Sequence, residues 1–169
     1  NMKKKFERVS LLPPYVFAEI NELKAKERSN GRDIIDLGMG NPDSSTPKHV
    51  VEKLIDTVRN VKTHRYSVSR GIDGLRKAQK KYYERRFNVK LDKEKEICVT
   101  LGSKEGLANL ASAITSKGDI ILVPNPSYPI HPYGFLIAGG SVKNIKINKL
   151  ENFLKELSLK IKKYRNRIK

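Results

Sequence analysis

The sequence has 169 residues, of which 38% are apolar, enough to bury a core in one domain or in part of a larger one. No apolar run approaches the roughly 20 residues that cross a bilayer, and no apolar signal region follows the basic start. The single cysteine, Cys98, excludes an intrachain disulfide framework and fits a reducing compartment. We therefore expect a soluble, cytoplasmic protein without a membrane partner.

The charge is strongly basic, because 35 Lys and Arg residues stand against 18 Asp and Glu residues, a net +17. Such a balance raises the hypothesis of a nucleic-acid-binding module. The basic residues are nevertheless spread over every predicted helix, among glutamates and apolar residues, as on solvated faces. We favour solvated faces and keep nucleic-acid binding as a remote alternative. The three histidines (His49, His64, His131) lack neighbours at metal-ligand spacing, so we expect no metal site.

In the first half of the chain, apolar spacing predicts helices over residues 16–28 and 74–87. A further helix is predicted after Thr46, with Thr46 as the N-cap and Pro47 as the first helical residue. Residues 33–37 form a short apolar run that predicts a strand.

In the second half, short runs rich in apolar residues alternate with helical patterns. Strands are predicted over residues 97–101, 120–123 and 142–147. Helices are predicted from the turn at residue 102 to residue 114, over 129–138 and over 150–164. Continuous apolar strands separated by helices indicate an α/β fold, with a mostly parallel sheet covered on both faces.

Two segments in this half could bind a ligand. Gly102-Ser103-Lys104 lies between a predicted strand and a helix, where a helix N-terminus attracts anions. An ordinary turn with Ser103 as the N-cap is the alternative. Tyr128 lies in a loop that three prolines stiffen, at the carboxyl end of a strand, where it could stack on a planar ring. Packing of Tyr128 on a neighbouring helix explains that residue equally well.

Two segments in the first half are weaker candidates. Tyr66 lies in an irregular polar stretch and could bring a hydroxyl to a phosphate or to a partner subunit, although a solvent-facing loop explains the spacing as well. The stretch over residues 38–43 contains two close glycines that could expose backbone N–H groups to a carboxylate. A tight turn is the simpler interpretation, and the dinucleotide-binding glycine pattern is absent.

Taken in order, the stretches LPPYVFAEI, DLGMGNPD, RYSVSRGIDGLR, VTLGSKEGL and GDIILVPNPSYPIH resemble the N-terminal half of class I/II aminotransferases of fold type I, which depend on pyridoxal 5'-phosphate. The resemblance covers residues 9–164. It is strongest to the bacterial alanine-forming (glutamate–pyruvate) group and to relatives that act on LL-diaminopimelate or aspartate. It implies part of a three-layer α-β-α large domain (residues 47–169), preceded by an N-terminal arm and small-domain segment (residues 1–46).

The resemblance also implies roles for single residues. In it, Gly102, Ser103 and Lys104 form the turn that holds the cofactor phosphate, and Tyr128 stacks on the pyridine ring. Tyr66 reaches the cofactor phosphate of the other subunit, which implies a homodimer.

Two further positions are implied to contact substrate. The backbone of Gly40 faces the substrate α-carboxylate, and Tyr15 lies near the substrate in the diaminopimelate-type relatives. The implied substrates are an amino acid, with alanine or glutamate favoured, and a 2-oxo acid.

Several motifs of the family have no counterpart in these residues. They include the lysine that binds the cofactor as a Schiff base, which the family carries further along its chain. Because of this, and because the sequence begins Asn1-Met2, we expect a truncated chain that is inactive alone. An inactive fragment that binds phosphate or a complementing chain is an alternative, as is an LL-diaminopimelate or aspartate aminotransferase.

Overall fold

The computed structural model describes residues 6–38, 40 and 42–169. Its regular elements in chain order are α1 (Glu7–Ser10), α2 (Val16–Ser29), α3 (Lys48–Arg59), a 3-10 turn (Val61–Thr63), α4 (Asp73–Phe87), α5 (Ser103–Ile114), β1 (Ile120–Asn125), α6 (Ile130–Ile137), β2 (Ser141–Lys146) and α7 (Leu150–Tyr164). The chain divides into two compact units, residues 14–68 and residues 69–169 with the segment up to 13. No helix in the described ranges has the length and apolarity that a membrane crossing requires.

The core of the unit formed by residues 69–169 surrounds a parallel strand pair. β1 pairs with β2 in a register that joins Ile120 to Ser141 and Asn125 to Lys146. Successive residues of β1, Ile120 and Ile121, are both buried, so both faces of this strand are covered. Helices α6 and α7 contact both strands, and α5 packs on α6. The predicted α/β class with a parallel sheet is confirmed.

The far edge of β1 receives the last residues of the chain, which the sequence did not predict. Ile120 donates its N–H to the Arg167 carbonyl at 2.6 Å and accepts from the Lys169 N–H at 3.1 Å. The Arg167 side chain also donates to the Gly118 carbonyl at 3.0 Å. β1 is therefore hydrogen-bonded along one edge by β2 and at its start along the other edge.

In the unit formed by residues 14–68, local hydrogen bonds hold the segments after α2 and α3. Lys24 of α2 pairs with Asp36 at 2.7 Å, and Asp36 also accepts the Gly38 N–H at 3.0 Å. After α3, the Thr63 hydroxyl donates to the Thr57 carbonyl and the His64 ring contacts the Val58 carbonyl at 2.8 Å. The polar groups of these loops thus fold back on the helices that precede them.

The helices predicted from sequence are confirmed to within one or two residues, but two predicted strands are wrong. Residues 33–37 and 97–101 carry no strand pairing in the described part of the chain. A strand needs a neighbouring strand for its backbone groups, whereas here the Val99 N–H bonds to the carbonyl of Arg70, which lies in a loop, at 3.2 Å. Exposed apolar residues mark both runs, including Leu37 (91% exposed) and Leu101 (93%).

The predicted start of α3 is also wrong by one residue. Pro47 is the N-cap rather than the first helical residue, because its ψ of 136° is extended, and Lys48 begins the helix. Thr46 therefore lies outside the capping position.

Helix α5 begins at a glycine whose backbone conformation other residues avoid. Gly102 is the N-cap, with φ of 90° and ψ of 158°, a region that is nearly restricted to glycine. A Cβ atom added there would meet nothing within 4 Å. The requirement for glycine thus comes from the backbone and not from crowding.

We predict that Gly102→Ala lowers the free energy of unfolding by about 1–3 kcal/mol, the usual cost of a residue forced into this region. The matched control is Gly74→Ala, since an added Cβ at Gly74 also meets nothing within 4 Å and no positive φ is involved. Gly74 lies in α4, where alanine is favoured by about 1 kcal/mol. Urea denaturation of both variants tests this, and equal stabilities would contradict it.

A network of ion pairs joins the start of α4 to residues 93–94. Asp73 binds Lys77 at 2.7 Å and also Lys93, and Glu94 binds Arg76 at 3.0 Å and Lys93 at 2.7 Å. The hydrogen bond from Lys77, then that from Lys93, lowers the pKa of Asp73 from 3.8 to about 2. Lys93 and then Arg76 lower the pKa of Glu94 from 4.5 to about 2.

Because both pKa values are lower in the folded chain than in the unfolded one, the network stabilises fully above about pH 4.5 and progressively less as the pH falls towards 2. We expect the urea midpoint to fall over this window, and to fall less steeply in Glu94→Gln. Glu151→Gln, at an exposed glutamate in the first turn of α7, is the control. If the urea midpoint of Glu94→Gln fell with pH as steeply as that of the wild type, Glu94 would not be a source of the pH dependence.

Candidate functional site

The candidate site in the unit formed by residues 69–169 lies where α5 begins. Gly102, Ser103 and Lys104 are all exposed, and Ser103 is the first residue of the helix. The alternative with Ser103 as the N-cap is therefore wrong, because Gly102 holds that position. The first turn of a helix leaves backbone N–H groups without a carbonyl partner inside the helix, so it presents donors and a partial positive charge.

Glu105, in the first turn of α5, holds the residue that precedes the Gly102 turn. Its carboxylate accepts the N–H of Leu101 and, at 3.1 Å, the side-chain amide of Asn109. The Thr100 hydroxyl donates to the Gly102 carbonyl at 3.0 Å. These bonds fix the backbone just before the helix, while Ser103 itself is exposed.

The second part of the site is Tyr128, in the loop that joins β1 to α6. This tyrosine is 45% exposed, and its loop begins with a cis peptide bond between Asn125 and Pro126. Its ring meets the His131 ring edge-on, with centroids 6.1 Å apart and planes at 78°. This contact with α6 leaves nearly half of Tyr128 accessible.

Lys104 joins the two parts. Its Nζ lies 5.1 Å from the centroid of the Tyr128 ring, within the range of a cation–π contact. The N-terminal turn of α5 and the loop after β1 therefore meet at one place. Ligands of open α/β sheets bind at this kind of position, outside the carboxyl ends of the strands.

The other predicted site residues lie in the unit formed by residues 14–68. Tyr66 is fully exposed, and Tyr15 is 52% exposed, with its ring 5.5 Å from that of Phe17. Gly40 is exposed, and an added Cβ would meet nothing within 4 Å. Met39 and Asn41, in the predicted carboxylate-binding stretch over residues 38–43, lie outside the described residues.

Two contributors to the site were missed from the sequence. His131 was considered only as a metal ligand, and no cluster of three or more ligating side chains occurs among the described residues. His131 follows Tyr128 by three residues at the start of a helix, and this spacing could have predicted that the two rings lie together. Glu105 stands three residues after the N-cap, the position of a capping glutamate, but the N-cap is Gly102 rather than Ser or Thr.

Comparison with protein families gives a match over most of the chain. The family model described as aminotransferase class I and II matches residues 32–169. The putative aminotransferase AatC of Rhizobium meliloti is 57% identical over 152 residues, which cover 90% of this chain and 38% of that protein. The glutamate-pyruvate aminotransferase AlaC of Escherichia coli is 49% identical over 160 residues, or 95% of this chain and 39% of that protein.

More distant relatives and solved structures agree. An LL-diaminopimelate aminotransferase of Dehalococcoides mccartyi is 40% identical over 151 residues, covering 89% of this chain and 39% of that protein. A double mutant of Thermus thermophilus aspartate aminotransferase superposes with a TM-score of 0.83 at 29% identity, covering 94% of this chain and 42% of that one. Apo BacF of Bacillus subtilis superposes with a TM-score of 0.78 at 34% identity, covering 89% of this chain and 38% of that one.

The chain thus spans about two fifths of the length of the proteins that it matches. The match runs through the turn at Gly102, the loop at Tyr128 and both strands of the sheet. On this evidence the chain belongs to the class I and II aminotransferase family.

Proposed function

We propose that this chain provides the phosphate- and ring-binding part of an aminotransferase that depends on pyridoxal 5'-phosphate. The observation that carries the proposal is the position of Lys104 Nζ, 5.1 Å from the centroid of the Tyr128 ring. It brings an anion-attracting helix start and an accessible aromatic ring together. A ligand that joins a phosphate to a flat ring fits this pair of features.

The residues present fit both parts of the cofactor. The phosphate would lie at the start of α5, near the Ser103 hydroxyl and the Lys104 ammonium, and the open space at Gly102 lets it approach the backbone. The accessible Tyr128 would stack on the pyridine ring. When bound, the cofactor supplies an electron-withdrawing ring that stabilises negative charge at the substrate Cα. The side chains named here bind and orient it.

The proposal extends to the unit formed by residues 14–68. The full exposure of Tyr66 supports a role at the cofactor phosphate of a second subunit, so the complete enzyme would be a homodimer. The open surroundings of Gly40 support a backbone contact with the substrate carboxylate. Tyr15, half-exposed at the start of α2, is assigned to the substrate side.

For substrates, we propose an amino acid of the alanine or glutamate type and a 2-oxo acid. A relative named for glutamate and pyruvate is 49% identical, whereas one named for LL-diaminopimelate is 40% identical. LL-diaminopimelate or aspartate is the second candidate. We also propose a cytoplasmic location and a large domain that begins at residue 47.

The chemical step of the proposed enzyme needs a lysine that the family carries beyond the matched stretch. We therefore propose that residues 1–169 bind the cofactor but do not transfer the amino group by themselves. An inactive chain that binds phosphate or a complementing polypeptide is the alternative. Cofactor binding therefore provides a direct test of the site.

The test is titration of the purified chain with pyridoxamine 5'-phosphate, followed by calorimetry or by the fluorescence of the ligand. This probe has the ring and phosphate of the cofactor but lacks the aldehyde that reacts with surface lysines. We expect saturable binding that Ser103→Ala weakens about three- to tenfold, because it removes a hydrogen bond to an ionised phosphate.

The matched control is Ser158→Ala, at an exposed serine in α7, which should bind as the wild type does. Inorganic phosphate at high concentration should compete with the probe, since both would use the α5 turn. The proposal fails if the wild-type chain shows no saturable binding, or if Ser103→Ala and Ser158→Ala bind equally well.

A further inference from the structure

Arg76, in the first half of α4, is the one charged residue that is buried among those that the structure describes, with 8% of its surface exposed. Its guanidinium donates to three oxygens: the Gly71 carbonyl at 3.2 Å, the Lys93 carbonyl at 2.8 Å and the Glu94 carboxylate at 3.0 Å. The burial of a charge is costly unless the charge is paired and hydrogen-bonded. Arg76 meets both conditions, and in doing so it joins residue 71 to residues 93 and 94.

We call Arg76 and its three hydrogen-bond partners the Arg76 clamp. Arg70 and Gly71 connect this clamp to the segment that precedes α5. Arg70 donates to the carbonyl of Glu94 and, at 3.3 Å, to its carboxylate. The Arg70 carbonyl in turn accepts the Val99 N–H at 3.2 Å. Gly71 has a φ of 87°, and an added Cβ there would lie 2.3 Å from a methyl group of Val99, so the Val99 side chain packs directly against the backbone of Gly71.

Val99 leads directly into the turn at Gly102. No strand pairs with residues 97–101 in the described part of the chain, so the ladder bonds that usually fix such a segment are not available to it. Its contacts with Arg70 and Gly71 hold one end, and the bonds of Thr100 and Glu105 hold the other. The position of the turn therefore depends on residues 70 and 71, which Arg76 and Glu94 hold in place.

We propose that Arg76, together with Glu94, is a positioning residue for the turn formed by Gly102 and Ser103. Arg76 does not touch the ligand of that turn. It acts through Gly71, Arg70 and Val99, and only a planar guanidinium can reach the three oxygens in fixed directions. The identity of the ligand rests on the function proposed above, whereas the positioning of the turn does not.

The test compares Arg76→Gln with Arg85→Gln in the ¹⁵N-labelled chain. Arg85 is an exposed arginine in the last turn of the same helix, so the change in side chain and charge is matched. We expect Arg76→Gln to shift the amide resonances of residues 99–103 and to speed hydrogen exchange at Val99 about tenfold, because local opening becomes easier. The amides of residues 121–123 in β1 should stay within about twofold of the wild type.

Glu94→Gln is the second variant, since the Glu94 side chain is half-exposed and its change disturbs packing little. We expect the same amides to respond, with smaller shifts. Unchanged resonances at 99–103 in a folded variant would overturn the inference. So would equal effects on residues 99–103 and 121–123, because these would show a general loss of stability rather than positioning.

Binding of pyridoxamine 5'-phosphate provides the functional readout. Arg76→Gln should weaken it about three- to tenfold, and less when Ser103→Ala is already present, because residues that act through one turn are not additive. Fully additive losses would contradict the inference. If the wild-type chain does not bind the probe, the proposed function fails, while the amide measurements still decide whether Arg76 positions the turn.

Discussion

The burial of β1 on both faces is the constraint on which the placement of the candidate site depends. Ile120, Ile121 and Val123 are each at most 6% exposed, and β2 fixes one edge of the strand along its whole length. Helix α6 returns from β1 to β2 and packs on α5, where Ala111 is fully buried and Gly134 lies against Ala108. The loop after β1 and the first turn of α5 thereby come together, although 24 residues separate Lys104 from Tyr128 in the sequence.

The net positive charge favours anion binding, but it does not explain why the start of α5 is the candidate site. The chain carries a net +17, which favours anionic ligands in general, but most of its Lys and Arg residues are exposed and spread over helices and loops alike. What makes the start of α5 specific is the combination of an N-terminal helix turn, an exposed serine and a lysine against an aromatic ring. Glu105 adds a negative charge nearby, but that charge is directed to the N–H of Leu101.

The sequence predicted the local structure well wherever local physics decides it. Amphipathic spacing located α2, α4 and α7, and short runs rich in apolar residues located β1 and β2 to within one or two residues. The same reasoning failed at residues 33–37 and 97–101, because a strand exists only where another strand supplies hydrogen bonds. That information is not in the run itself.

The candidate site likewise could be predicted in its local parts but not in the contact between them. The α5 turn and the loop at Tyr128 could each be proposed from residue type and position, but spacing could not show that Lys104 reaches the Tyr128 ring. The ordered motifs suggested that pairing through resemblance to a family. His131 and Glu105 were missed because each acts on a neighbour, His131 on a ring and Glu105 on a backbone N–H, and not through a recognised motif.

The clamp around Arg76 shows how side chains can replace a missing ladder. Among the described residues, the backbone of residues 97–101 pairs with no strand, and its N–H groups bond instead to the Arg70 carbonyl and the Glu105 carboxylate. Side chains and loop carbonyls therefore set its position. A buried guanidinium suits this role, because its donors diverge in one plane and each requires an oxygen partner once water is removed. Any conformation that releases residue 71 or residues 93–94 would leave buried N–H groups of Arg76 without an oxygen partner, which costs free energy. Val99 is held indirectly, through its contacts with Arg70 and Gly71.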